Sequence, residues 1–178
     1  MLVRRVEVRQ EPASVEELRA HLKLEHSEED EYLEHLLSSA REVIESLLQA
    51  SIALQVWEAR YTSVAGPLYL PMPPVQDVEL VTVDGNEVIS GYNLLTPRVV
   101  YFSTPLTSSL PDGVVVRYVA GYADAPPSLK HAVLVYAAYL YESRLGEAPE
   151  VRYQVQVTQG VLPPAVLHLL SGYKVHRL

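Results

Sequence analysis

The chain has 178 residues, of which 48% are hydrophobic and 20% charged, with 14 Lys and Arg against 22 Asp and Glu for a formal net charge of −8. This composition can bury a core and is not that of a disordered tail, its length suits one domain or one domain with an insertion, and its acidity argues against gripping nucleic acid through clustered cations. Cysteine is absent, which removes disulfides, thiolate catalysis and Cys-based metal sites.

Residues 1–12 carry Arg4, Arg5, Glu7 and Arg9 without a secretory-type apolar stretch, and no run of about 18 apolar residues follows. The expectation is a protein of the cytoplasm, or of a particle assembled there, with no membrane partner. Ser14 and Glu17 form a capping box for a short helix over about 15–24, with Val15, Leu18 and Leu22 on one face. Ser27 can cap a second helix whose first turn, Glu28, Glu29, Asp30 and Glu31, sets negative charge at the positive end of the helix dipole. Leu33, Leu36, Leu37, Ala40, Val43, Ile44, Leu47 and Leu48 continue it at three- and four-residue steps. The acidic run reads as capping and solvation ahead of any metal site.

From about residue 54 to 120 the period changes to that of short strands, at 54–64, 75–83, 88–95, 98–102 and 114–119. Asp84-Gly85-Asn86 signals a tight hairpin, and Thr96-Pro97 and Pro111-Asp112-Gly113 signal turns. Pro126-Pro127-Ser128 opens a third helix over about 129–145, closed by Gly146. It is apolar almost all round, so part of its surface is expected to be buried against a neighbouring subunit. Tyr136, Tyr139 and Tyr141 on this helix suit such an interface, because tyrosine buries area while keeping a polar handle. Residues 151–158 alternate, with Val151, Tyr153, Val155 and Val157 on one face, as a β-ribbon or arm with a side meant for burial; Tyr153 and Val155 join the interface set. A two-turn helix from Pro163-Pro164 to Gly172 precedes the tail Tyr173, Lys174, Val175, His176, Arg177 and Leu178.

The motifs of phosphate loops, nucleophile elbows, zinc proteases and EF-hands are missing. Of the six histidines, His21 and His26 bracket a helix junction and His35 lies four residues after Glu31. A metal site needs three or four convergent ligands, so surface histidines beside carboxylates is the better reading, and His131 and His168 near helix starts read as partly buried rings. No catalytic residue, metal ligand or cofactor is expected. Thirteen prolines, two methionines and two asparagines (Asn86 and Asn93) are a composition common in heat-adapted proteins.

Three stretches together resemble a known family. They are the helix pair at 15–24 and 30–48; Val116-Arg117-Tyr118-Val119-Ala120-Gly121-Tyr122 followed by Pro126-Pro127-Ser128-Leu129-Lys130-His131-Ala132 and continuing to Tyr141-Glu142-Ser143-Arg144; and Leu162-Pro163-Pro164-Ala165-Val166 through Leu169-Leu170-Ser171-Gly172-Tyr173. The order resembles that of the head–tail connector, or adaptor, proteins of long-tailed phages and related gene transfer agents, in the branch with a long β insertion. The resemblance implies a structural virion protein at the head–tail junction, a homo-oligomeric ring, dodecameric in the virion, bound below the portal protein. The isolated chain can be a monomer, since such rings often form only on the portal. It extends the DNA channel, lets genomic DNA pass without specific binding, and offers a platform to the next tail-side protein. The portal-binding segment maps to Tyr173, Lys174, Val175, His176, Arg177 and Leu178. A basic tail docking on an acidic partner and a solvated terminus both fit those residues. Glu28, Glu29, Asp30 and Glu31 are hypothesised to face the channel and repel the DNA backbone.

The expected architecture is α+β: a helical bundle from residues 1–53 and 121–178, with a C-terminal arm, and a small antiparallel β domain inserted at 54–120. The competing readings are another phage structural subunit, such as a tail-completion or minor capsid protein, and a small hydrolase built on the β domain.

Overall fold

Strand Val114–Ala120 alternates buried residues on one face with half-buried ones on the other until its last three positions, which are all buried. In the computed structural model, which describes residues 1–144 and 162–173, this strand is β8, and it is paired on both edges. The elements in order are β1 (Leu2–Gln10), α1 (Val15–Leu22), α2 (Asp30–Leu48), β2 (Leu54–Tyr61), β3 (Ser63–Tyr69), β4 (Val75–Val83), β5 (Asn86–Glu87), β6 (Tyr92–Thr96), β7 (Val99–Thr107), β8, α3 (Pro127–Arg144) and α4 (Pro164–Leu170), which ends in a 3-10 turn at Ser171–Tyr173. One sheet has the order β1-β2-β8-β4-β5 and the other β3-β7-β6, and every pairing is antiparallel.

The expected helical bundle with a small inserted β domain is therefore corrected: the described residues are organised on two antiparallel sheets of eight strands, accompanied by four helices. One cause is β1, which sequence periodicity does not reveal. It lies at the sheet edge, only Val3 and Val8 are half-buried, and its register against β2 slips between Arg5 and Glu7 and again between Val8 and Gln10. An edge strand with charge on both faces and two irregularities lacks the strict two-residue alternation by which strands are recognised.

Chain contacts define two units, residues 1–11 with 49–124, and 12–48 with 125–178. The first is the sheet unit. Its core takes Ala59, Val75, Val81, Val116 and Tyr118 from the five-stranded sheet and Val64, Val100 and Phe102 from the three-stranded one. That membership places it between the sheets. Tyr118 is fully buried, and its hydroxyl donates to the Pro71 carbonyl at 2.7 Å; burial, with a further push from Tyr61, drives its phenol upward. The hairpin at Asp84-Gly85 forms as expected, both residues having positive φ and Val83 pairing with Asn86. The Asp84 carboxylate also accepts from the Ser108 and Ser109 hydroxyls and from the Ser109 amide, which ties this turn to the loop between β7 and β8. The strand expected over 88–95 is displaced, its residues falling partly in a loop and partly in β6.

The second unit is helical. The capping box of α1 is present, with the Glu17 amide donating to Ser14 Oγ at 3.3 Å and the Ser14 amide to Glu17 Oε2 at 3.0 Å. Leu18 is fully buried beneath it. On α2, Leu33, Leu36, Leu37, Ala40, Ile44 and Leu48 turn inward, while Val43 and Leu47 at the edges of the apolar stripe stay exposed. Inside the same helix Arg41 and Glu45 are buried as an i, i+4 ion pair at 2.9 Å; each neutralises a charge that would be costly alone. Helix α3 packs against α1, α2 and α4.

Gly121 has φ +99°, and a Cβ there would collide with the Ala53 carbonyl. Its amide donates to Pro74 O at 2.8 Å, and its own carbonyl accepts from Gln76 Nε2 at 2.7 Å. Both the torsion and the close approach admit only glycine. Gly121→Ala is expected to destabilise the sheet unit by at least about 3 kcal/mol, seen as a fall in the urea midpoint, whereas Gly172→Ala, with open space around it, should stay within about 1 kcal/mol of the parent.

Candidate functional site

Charged residues are sparse in β2 and β8, and where they occur they face one another. Glu58 lies opposite Arg4 of β1 and opposite Arg117 of β8, and Arg60 is two residues along on the same face. The Glu58 side chain is 2% exposed, while those of Arg4, Arg60 and Arg117 are 57%, 38% and 38% exposed. Arg4 Nε donates to Glu58 Oε1 at 2.9 Å, Arg60 reaches the same oxygen through Nε at 2.9 Å and Nη2 at 2.8 Å, and Arg117 Nη2 meets Oε2 at 3.2 Å. Burial pushes the Glu58 carboxyl up, but the hydrogen bonds from Arg4, Arg60 and Arg117 outweigh it and hold the group at about 2. Arg117 Nε is buried without a hydrogen-bond partner. Sequence reading missed this cluster. The available signal was the lone Arg117 in one apolar strand and the pair Glu58 and Arg60 in another, since a charged residue in a central strand has to find its opposite across the ladder.

The three-stranded sheet offers a different surface. Strands β3, β6 and β7 contain no Asp, Glu, Lys or Arg, and Tyr69, Leu95 and Tyr101 are exposed on them. Both edges of this sheet, β3 and β6, are likewise uncharged.

Of the expected interface tyrosines, Tyr136 is half-buried and Tyr139 is 41% exposed, and their rings stack with centroids 6.3 Å apart and 12° between planes. Burial, then Tyr139, raises the Tyr136 phenol. Tyr141 is buried and donates to the Glu29 carboxylate. Leu134, Val135 and Leu140 are half-buried on the same helix. Tyr153 and Val155 lie outside the described residues, as do Lys174, Val175, His176, Arg177 and Leu178. Tyr173 closes the final turn, its hydroxyl 2.9 Å from Ser128 Oγ.

The four acidic residues at the start of α2 have different surroundings. Glu29 accepts from Tyr141, Asp30 pairs with Arg19 at 3.2 Å, and Glu28 and Glu31 are exposed. His21 meets His131, not His26, edge-on at 5.9 Å, and Lys130 binds Glu17 at 2.5 Å beside them. Among the described residues no three His, Asp or Glu side chains gather as metal ligands, and no helix is long and apolar enough to cross a membrane.

Two packed antiparallel sheets, a helical unit and surfaces of contrasting charge are what the described residues present. Residues 13–176 match the family model described as head completion protein, and the chain belongs to that family. Its role is the structural one of a phage head–tail connector. No curated protein matches the chain. Three solved structures are similar to it over 100% of its length and 97% of theirs: the neck of an empty gene transfer agent particle computed with C6 symmetry (24% identity, TM-score 0.72), the virion of a native gene transfer agent particle (22%, 0.72) and the neck of a native particle computed with C12 symmetry (21%, 0.73). At these identities the likeness establishes a shared fold.

Glu58 allows a test by pH. Its carboxyl has the ordinary value of 4.5 when unfolded and about 2 when folded. A depressed folded value stabilises above the unfolded one and is lost as pH falls, so its contribution should be complete above about pH 5 and gone near pH 2. By linkage it is worth roughly 3 kcal/mol. Glu58→Gln should therefore lower the urea-unfolding free energy by roughly that amount at pH 7, with the gap to the parent narrowing below pH 4. A gap that is constant from pH 7 to pH 2.5 would refute the assignment.

Proposed function

We propose that the chain is the repeating subunit of a ring bound beneath the portal, which extends the DNA channel and presents a platform to the next tail-side protein, without catalysis. The observation that carries this reading is the family match over residues 13–176. Necks with sixfold and twelvefold symmetry among the similar structures support a ring, with twelve copies as the proposed number. A net charge of −8 favours a lumen along which DNA slides without adhering.

Within that ring, the half-buried flank of α3 with Tyr136 and Tyr139 is proposed to pack on an adjacent subunit. An apolar helix left partly open in one copy gains its cover from the next, and a head-to-tail contact of this kind closes into a ring. Residues 173–178 are proposed to dock on the portal. Lys174, His176 and Arg177 supply cationic donors suited to an acidic groove.

Two experiments bear on this. Electron microscopy of the protein mixed with its portal should show an additional ring of density beneath the portal, and its absence would sink the reading. Deleting residues 174–178 should abolish co-sedimentation with portal while moving the Tm by less than about 2 °C. Retained binding after the deletion would place the portal contact elsewhere.

A further inference from the structure

We infer that the Arg4, Arg60 and Arg117 face is a carboxylate-binding surface whose occupant is the acidic start of α2, at Glu28 and Glu31, from the neighbouring copy of this chain. The inference rests on the ring reading above and adds a second contact to it, distinct from the α3 flank.

Three guanidinium cations around one carboxylate leave two positive charges on a surface of an otherwise acidic chain. Glu58 fixes the three side chains, so their ordering is settled before anything binds. Glu58 engages Arg4 through Nε, Arg60 through Nε and Nη2, and Arg117 through Nη2. The side chains of Arg4, Arg60 and Arg117 remain 57%, 38% and 38% exposed, so their guanidinium groups can meet an acceptor from outside while bound to Glu58. Guanidinium forks match carboxylates in planar geometry, so the class of occupant follows from the donors.

Subunits of net charge −8 repel one another at a distance, so a ring of them needs local complementarity to close. Glu28 and Glu31 are exposed, the first in the turn that leads into α2 and the second in the first turn of the helix. Neither is committed as Glu29 is to Tyr141 or Asp30 to Arg19. A basic face and a separate acidic face on one chain form the two halves of a heterologous contact. On this inference Glu28 and Glu31 are held against a neighbour and do not line the channel. Duplex DNA is the weaker candidate for the arginine face, since two net charges on an acidic chain make a small phosphate footprint.

The test is charge exchange, scored as the fraction of portals carrying a ring by electron microscopy. Glu28→Lys/Glu31→Lys reverses one face and Arg4→Glu/Arg60→Gln the other. Each variant alone should lower ring occupancy at least tenfold at low salt, and 0.5 M NaCl should weaken the parent ring. An equimolar mixture of the two variants should restore occupancy, because alternating copies make every contact complementary again. The acidic-face variant changes only exposed residues, so it stands as a test even if disturbing Glu58 impairs folding of the other. Rings of normal occupancy from Glu28→Lys/Glu31→Lys, or a mixture no better than its components, overturns the inference while the ring reading survives. Absence of a ring from the parent overturns both. Normal rings from the arginine variant with weakened retention of duplex DNA on a filter would assign the arginine face to DNA and also overturn it.

Discussion

Strand β8 has a neighbour on each edge, β2 and β4, so its backbone groups are committed within the sheet and its side chains must suit two crowded faces. One face carries Val114, Val116, Tyr118 and Ala120 into the core between the sheets. The other carries Arg117 into a position where an unpaired charge would be expensive. Glu58 answers it from β2, and because three arginines converge on that one carboxylate, the strands β1, β2 and β8 are cross-linked through a single side chain. At the end of β8 the chain has to turn against the Ala53 carbonyl, which only Gly121 permits. Pairing, the ionic cluster and the turn are three demands of one central strand.

Sequence features with a local cause were legible. The capping box at Ser14 and Glu17, the apolar stripe of α2, the Asp84-Gly85 turn and the proline-led α3 and α4 each follow from short-range stereochemistry, and each is found. The Ala120-Gly121-Tyr122 segment carried the resemblance to the connector proteins, and the same glycine is fixed by a backbone contact. What could not be read depends on long-range pairing. Strand β1 is defined by β2 rather than by its own pattern. The balance between sheet and helix is hidden for that reason, and because strands in separate sheets look alike in sequence. The Arg4–Glu58–Arg117 row joins residues 54 and 59 positions apart, beyond any spacing rule, and the meeting of His21 with His131 is of the same kind.

The surfaces divide by chemistry. The three-stranded sheet is uncharged along all three strands, the outer flank of α3 is aromatic and half-buried, and charge is gathered at the start of α2 and around Glu58. Uncharged exposed patches and edges are features that isolated soluble domains tend to avoid. Their presence in a member of the head completion protein family accords with a chain whose working state is a multi-protein assembly.

Strand β1 also bears on how the protein is made. Arg4 is synthesised 54 residues before Glu58, and β8, which completes the sheet around β2, follows later still. For that interval a nine-residue strand has no partner, while both N-terminal helices can form behind it from local contacts. An unpaired strand on a nascent chain invites pairing with the wrong neighbour, and flanking charge suppresses it. Arg4, Arg5, Glu7 and Arg9, the charged residues within β1, are therefore suited to keeping it unattached on the ribosome until its sheet arrives.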